Sequence, residues 1–456
     1  MVTYQDLQEV GLDETKRTAF VLSCIQQHKR TKLYKTAVTA EEYDRKRNVT
    51  IMQYEKTLRT ITGQEVPDRW SPNHKSTRNF FGYFTTQQNQ FLLSNGATWG
   101  DPATGEKLGA DFDIQLQKAG KAALVDGVSF GFWNFDHMEV FKVTEFAPLL
   151  DEENGALRAG VRFWQIDASK PLRATLYEED GYTDYIWNQR DETKTGAVLN
   201  PKRSYKQIVS TSAADGTEIM DWENYPGFPI VPLWANPHHQ SELVGIREQI
   251  DAYDLIKNGF LNDLDTAQIY WILKGAGGMD DEDAVRFLER LHMTKIANLD
   301  ADQTAEPVTV QIPVEARERL LDRLERDLFK DYMALDVEQI KSGAVTATQI
   351  LAAYEPLNVK ADQYEYCVHE FIQGLLKIVG IEDEATFTRS KLVNVSEEVQ
   401  TVIMAAQVLD EGYVMEKILT LLGDGDMAEE MKATLQAGEM QRMNEAVIGE
   451  GVSDAE

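Results

Sequence analysis

Between residues 239 and 341 the apolar positions switch period three times, and those switches set the organisation of the chain. From Ser241, an expected N-cap with Glu242 in the first turn, Ile246, Ile250, Tyr253, Ile256, Phe260, Leu264 and Ala267 recur at three- and four-residue spacing. That spacing predicts a helix with one apolar stripe. Its other face carries Arg247, Glu248, Asp251, Asp254, Lys257 and Asp263. The run IYWILKG is β-branched and aromatic without helical period, so it predicts a strand ending at Gly275. A short helix over DEDAVRFLERL follows, with acids in its first turn, and then a strand with Val308, Val310 and Ile312 in alternation. The return helix opens at Pro313 with a stripe of Leu320, Leu321, Leu324, Leu328 and Met333. Between 313 and 331 Arg317, Arg319, Arg323, Arg326 and Lys330 interleave with six acids, a surface suited to water or to a neighbouring subunit.

Each long helix holds about 23 to 26 residues, roughly 35 to 39 Å. Two such helices with one narrow stripe each leave apolar surface uncovered. Either the hairpin packs on its own domain, or identical hairpins from neighbouring subunits pack side by side around a channel.

Upstream, residues 1–30 read as helical, and HKRTKLYK is a short basic patch. AEEYDRKRNVTIMQYEKTLRTITG reads as one helix stopped by Gly63. A further helix places Phe80, Phe81, Phe84 and Phe91 on a core stripe that ends by Gly96, and another runs from about 111 to 125. From Gly127 to about Trp222, alternating Phe-, Val- and Tyr-rich runs separated by turn residues predict an antiparallel β-rich part. A proline-dense connector leads into the hairpin. Downstream, a long helix carries Ile350, Tyr354, Leu357, Ala361, Tyr364, Val368, Phe371 and Leu375 on one side and is kinked by Pro356. Helices are expected from Ser396 to about Gly412, from Tyr413 to Leu422 and then over AEEMKATLQAGEMQRMNEA, with a disordered GEGVSDAE tail. The fold class is α+β and mostly helical.

The 456 residues allow two or three domains, and a composition of 43% hydrophobic and 27% charged residues describes a soluble globular protein. No apolar run long enough for a membrane span and no targeting pattern is read, so a cytoplasmic setting without membrane contact is expected. Cys24 and Cys367 lack a paired spacing, which excludes a disulfide framework and a cysteine-based zinc site. The net charge of −29 argues against gripping nucleic acid over a broad basic surface, although nucleic acid could slide past an acidic wall with a few basic contacts.

Candidate chemistry is sparse. KGAGGMDDED lacks the third glycine of a dinucleotide loop and any Gly-Lys-Ser/Thr, and its acids would repel phosphate. DADQT and GDGDMAEE miss the calcium-loop pattern, His369-Glu370 lacks a second metal-binding histidine, and no nucleophile elbow is present. Trp133, Asp136, Trp164, Asp167, Trp187 and Asp191 could form a sugar cleft with paired carboxylates, so the alternative function is an acidic polysaccharide hydrolase. Otherwise no catalytic residues, cofactor or metal are expected, and the chain reads as structural or mechanical rather than as an enzyme.

The run PGFPIVPLWANPHHQSELVGIREQIDAYDLIKNGFLNDLDTAQIYWILKG resembles the portal (connector) protein family of tailed double-stranded DNA bacteriophages, siphovirus type from Gram-positive hosts. In that family a segment of form IP.VPF.N precedes L...LIDAYD and ILKG; the counterparts here are 229–236, 249–254 and 272–275. ANLDAD, the second helix from Pro313, KSGAVTATQI, RNFFGYFTTQQNQFLLSNG and DGVSFGFWNFD continue the likeness in order. The resemblance implies one subunit of a ring, usually of twelve, at one capsid vertex of the virion, through which DNA is packaged and later ejected. The subunit would form in the host cytoplasm during assembly. Residues 1–240 would be the wing, 241–268 and 313–335 the stem, 269–312 the clip, 336–344 the tunnel loop, 345–379 a kinked wing helix, 380–445 the crown and 446–456 the tail. Gln339, Lys341 and Ser342 would face the passing DNA; Val345 and Thr346 stand where the family often has a further basic residue. Met279, Asp280, Asp281, Asp300 and Asp302 would dock partners at the clip tip, and Ile250, Tyr253, Phe260, Leu324 and Leu328 would pack between subunits. The implied partners are copies of the chain, double-stranded DNA, the terminase large subunit, a head-tail adaptor, and capsid and scaffold proteins.

Overall fold

A computed structural model of the chain describes residues 2–59, 63–69, 71–188, 196–211, 218–266, 269–274, 304–309, 313–337, 347–390, 402–404 and 411–422, and positions 282, 286 and 399. The chain divides into two compact units, the larger formed by Met1–Leu335 with Pro356–Arg389, the smaller by Asp336–Glu355 with Ser390–Glu456.

The larger unit opens with helices whose starts are fixed by side-chain caps. In α1 (Tyr4–Val10) Thr3 and Asp6 form a reciprocal capping box, and in α2 (Glu14–His28) Asp13 accepts from the Thr15 and Lys16 amides. Thr31 caps α3 (Lys32–Asp44) and Asn48 caps α4 (Val49–Gln53). The hairpin of β1 (Thr57–Arg59) and β2 (Glu65–Pro67) follows, then α5 (Phe80–Leu93), β3 (Ala97–Trp99), α6 (Pro102–Leu108) and α7 (Phe112–Asp126). Helix α7 ends where Gly127 takes φ 97°, and a Cβ there would come within 2.7 Å of the Ser241 amide nitrogen. Inside α7, Gly120 lets the Tyr364 hydroxyl and Asn89 approach positions that a Cβ would occupy at 2.2 and 2.4 Å.

The β-rich part carries β4 (Val128–Asn134), β5 (His137–Lys142), β6 (Phe146–Leu150), β7 (Leu157–Trp164), β8 (Leu172–Glu178), β9 (Gly181–Trp187), β10 (Ala197–Arg203), β11 (Lys206–Thr211) and β12 (Glu218–Glu223). Strands β6 to β10 form an antiparallel five-stranded meander, and β13 (Ile230–Trp234) joins β4 and β5 in a three-stranded sheet. The meander buries one face, with Leu149, Val161, Leu176 and Tyr185, against Leu7, Val21 and Ile25 of α1 and α2. Where helix meets sheet at the other end, the bidentate Arg17–Glu178 pair at 2.8 and 3.0 Å ties α2 to β8. The hairpin helices are α8 (Arg247–Thr266) and α9 (Val314–Tyr332), with β14 (Ile269–Lys274) paired antiparallel to β15 (Thr304–Thr309) between them in sequence. α10 (Ala347–Val379) contains Pro356, the residue at which the two units divide, and its later turns bury Tyr364, Val368, Phe371 and Leu375 against α5 and α7. β16 (Ala385–Phe387) pairs with β3, so the larger unit continues past 380. α11 (Glu411–Leu422) belongs to the smaller unit.

Three sequence expectations are corrected. The helix expected over 40–63 is broken: Lys46 sits at φ 62°, Asn48 starts a new five-residue helix, and Thr57–Arg59 are strand β1. Competing local hydrogen bonds explain the break, because Asn48 Oδ1 accepts from the Ile51 amide. The first long helix starts at Arg247 rather than at Ser241, whose hydroxyl donates to the Val125 carbonyl at 2.5 Å and so pins a turn beneath α7. The helix expected from Tyr413 to Leu422 begins at Glu411 and runs through Gly412. The short helix expected over DEDAVRFLERL lies outside the described residues, apart from positions 282 and 286.

Candidate functional site

Helices α8 and α9 lie antiparallel, as three polar pairs along their length record. Gln249 donates to Asp331, the Tyr253 hydroxyl lies 3.3 Å from Glu325 Oε2, and Arg317 pairs with Asp263. Between the first pair and the last, an advance of 14 residues along α8 is matched by a retreat of 14 along α9. Their apolar stripes meet α5: Phe80 packs edge-on to Tyr253 at 4.9 Å, and Phe84 stacks on Tyr332 at 4.8 Å and meets Phe329 at 5.0 Å. Ile246, Ile250, Tyr253, Leu328 and Tyr332 are buried in this cluster. Burial, with Glu325 close by, pushes the Tyr253 phenol up to about 12. At the same end Lys360 of α10 sits 3.6 Å over the Tyr332 ring and 2.7 Å from Glu242, so one ammonium links the entry to α8, the end of α9 and the long helix.

The other flank of α8 is held by a polar ladder. Asp254, Asn258 and Asn262, at i, i+4 and i+8, bond the extended segment 74–78. Asp254 Oδ1 accepts from the Arg78 amide at 3.1 Å, Asn258 Oδ1 from the Ser76 amide at 2.7 Å, and Asn262 Oδ1 from the His74 amide at 2.8 Å. Asn258 Nδ2 also donates to the Ser76 carbonyl at 2.8 Å. The match is metrical: four helical residues rise about 6.0 Å, and two extended residues span about 6.6 Å. Asp254 accepts a further bond from Asn48 Nδ2 at 3.0 Å, and Asp251 accepts from the hydroxyls of Tyr43 and Thr50 at 2.5 and 2.8 Å. Burial raises the Asp254 carboxyl, and the Asn48 and Arg78 donors oppose that rise.

Of the residues expected to pack between subunits, Ile250, Tyr253 and Leu328 are instead buried in the chain's own core, because α5 covers the stripe that the hairpin alone leaves open. Phe260, with the Arg317 guanidinium 5.7 Å from its ring centre, and Leu324 are half-buried. Gln339, Lys341, Ser342, Met279, Asp280, Asp281, Asp300 and Asp302 lie outside the described residues. The charge pattern alone places Asp254 on the solvent face and passes over Asn258 and Asn262; their four-residue spacing is the available signal. The sugar-cleft set does not assemble the required chemistry. Trp133 and Trp187 are buried, and Asp191 lies outside the described residues. Hydrogen bonds from His137 and from Ser169 hold the Asp136 and Asp167 carboxyls below the ordinary value, the opposite of what a general acid needs. Among the described residues no group of three His, Cys, Asp or Glu could hold a metal ion, and no helix is long and apolar enough to cross a membrane.

These features define the class as a mixed α/β chain built around a helical hairpin that is clamped at one end to its own core. A family model of phage portal proteins, SPP1 Gp6-like, matches residues 28–439, and the chain belongs to that family. It is similar to the portal protein of Bacillus phage SPP1, 23% identical over 384 residues that cover 76% of this chain and 73% of the relative. It is also similar to the portal protein of Clostridium phage phiCD119, 26% identical over 200 residues, which span 41% of this chain and 44% of that relative. Among solved structures, the neck of an empty gene transfer agent particle computed with C6 symmetry matches with a TM-score of 0.40 and 12% identity, over 75% of this chain and 89% of that one. The neck of the native particle, computed with C12 symmetry, matches with a TM-score of 0.40 and 11% identity, over 74% and 89%.

Proposed function

We propose that the chain is the repeating subunit of a twelve-membered ring that forms a DNA channel at one capsid vertex for genome packaging and ejection. The observation that carries this reading is the hairpin: α8 and α9 are anchored along one side, yet Leu255 and Leu264 of α8 and Val314 and Leu320 of α9 stay exposed. Apolar surface on a clamped helix pair is covered when rotated copies close a ring. On this reading Phe260 and Leu324, half-buried in one chain, complete their burial at the seam between subunits. Residues 1–240 form the wing, 269–312 the clip, 345–379 the long wing helix and 380–445 the crown, whose first strand, β16, pairs with β3 of the wing. Met279, Asp280, Asp281, Asp300 and Asp302 dock the terminase large subunit during packaging and the head-tail adaptor afterwards, while capsid and scaffold proteins surround the wing.

The tunnel loop 336–344 carries Gln339, Lys341 and Ser342 towards DNA, with Lys341 supplying a ring of positive charge in a chain of net charge −29. The test is Lys341→Ala. Rings should assemble as in the parent, while DNA packaging or retention falls; packaging at the parental level would remove Lys341 from the DNA path.

A further inference from the structure

The exposed face of α9 does not mix its charges as its sequence does. Arg319, Arg323, Arg326 and Lys330 stand at i, i+4, i+7 and i+11, so at 3.6 residues per turn they fall within roughly 60° of arc. All four are exposed, the Arg319 and Arg323 side chains to 82% and 79%. Glu318 and Asp322 lie to one side of the row and Asp327 and Asp331 to the other. Glu315 sits one turn below, 3.4 Å from Arg319, and Asp327 is 3.6 Å from Arg323. Both are exposed i,i+4 pairs, which hold the guanidinium heads loosely. The other cation of the helix, Arg317, is turned inward onto Asp263. A chain of net charge −29 therefore displays a row of four cations on one of its two stem helices.

We propose that this row is a phosphate track, a second set of contacts to the backbone of duplex DNA, distinct from Lys341. The inference rests on the portal reading and deepens it. Three observations favour DNA over a neighbouring subunit. A protein seam wants a core depleted of charge and rich in apolar side chains, and the sector between Arg326 and Arg323 contains no exposed large apolar residue. The apolar exposed positions of α8, around Leu255 and the open Gly259, supply that kind of surface instead. The row is about 16 Å long, the axial length of about five phosphate steps on one strand, and three of its four members are arginines, which match phosphate oxygens with a planar fork. The flanking acids keep the track weak, as sliding requires.

The test uses rings of the full-length chain and a linear duplex, with affinity followed over a salt titration. The variant Arg319→Gln/Arg323→Gln/Arg326→Gln/Lys330→Gln should keep the ring and bind at least about tenfold more weakly, with a slope of log affinity on log salt shallower by about 0.9 for each phosphate no longer neutralised. In the opposite direction, Asp322→Asn/Asp327→Asn should tighten binding, an arm that holds if the fourfold variant is poorly made. Unchanged affinity and slope in both variants overturns the track. Parent rings together with a fourfold variant that folds but no longer closes rings also overturn it, making the row a seam between subunits. A parent chain that forms no ring refutes the portal reading itself and takes the track with it, whereas parent rings whose DNA binding ignores the row refute the track alone.

Discussion

Asp126 ends α7 with both carboxyl oxygens buried and without a hydrogen-bond partner. Burial is the main cause that raises its carboxyl well above the ordinary value of 3.8, and Glu41, Asp44 and Glu145 add to the rise while Lys142 opposes it. A carboxylate at a helix C-terminus is also unfavourable to the helix dipole. The sign follows directly. Below the ordinary value both states are protonated; above it the unfolded chain releases the proton and the folded chain does not. Stability is therefore lost as pH rises from about 4 towards the folded value, at up to about 1.4 kcal/mol per pH unit for this one group. Asp126→Asn removes that loss. Thermal unfolding of the two proteins should nearly coincide near pH 4 and diverge in favour of the variant by pH 7; parallel curves across that range would show that Asp126 is ionised in the fold. The same residue marks what sequence could not supply. Its neighbours Glu41 and Lys142 are distant in the chain, so nothing local distinguishes it from a solvated helix end.

At the scale of elements, the hairpin helices were legible and their partners were not. Periodicity is local, so the apolar stripes anticipated α8 (Arg247–Thr266) and α9 (Val314–Tyr332) as helices, although α8 starts six residues after the expected Ser241. The stripes were legible too, down to Ile250 and Leu328, but their destination was not, because α5 reaches them from far upstream in the chain. The ladder was hidden for a related reason. Charge places Asp254 outside by rule, and the Asn48 side chain and the Arg78 amide, 206 and 176 residues away, make its burial tolerable. Of the sequence-derived site, the half-buried Phe260 and Leu324 remain open for packing, while the expected tunnel-loop and clip residues lie outside the described residues. The ladder yields its own prediction. Asn258→Ala leaves the amide and carbonyl of Ser76 without their partner, costing about 1–3 kcal/mol. Limited proteolysis should then cut first within 71–79, whereas Lys257→Ala, on the neighbouring position, should leave the cleavage pattern as it was. Equal protection of 71–79 in both variants would mean that the segment is held by something other than the ladder.

The whole molecule combines a clamped hairpin, exposed leucines on its two helices and strong acidity. On the proposed reading, acidity keeps free chains apart in solution and leaves DNA unattached over most of the surface, closure comes from apolar seams, and DNA contact comes from a few cations. Family membership fixes the kind of protein; ring closure is the claim on which the channel, the tunnel loop and the phosphate track all depend. It is tested most directly by the native mass of the purified chain, read together with negative-stain images of the same fraction. The account predicts rings of about a dozen subunits with a central hole, at a mass many times the 51.7 kDa of one chain. A particle that keeps the mass of a single chain at every salt and protein concentration, with scaffold protein supplied as well, would contradict it.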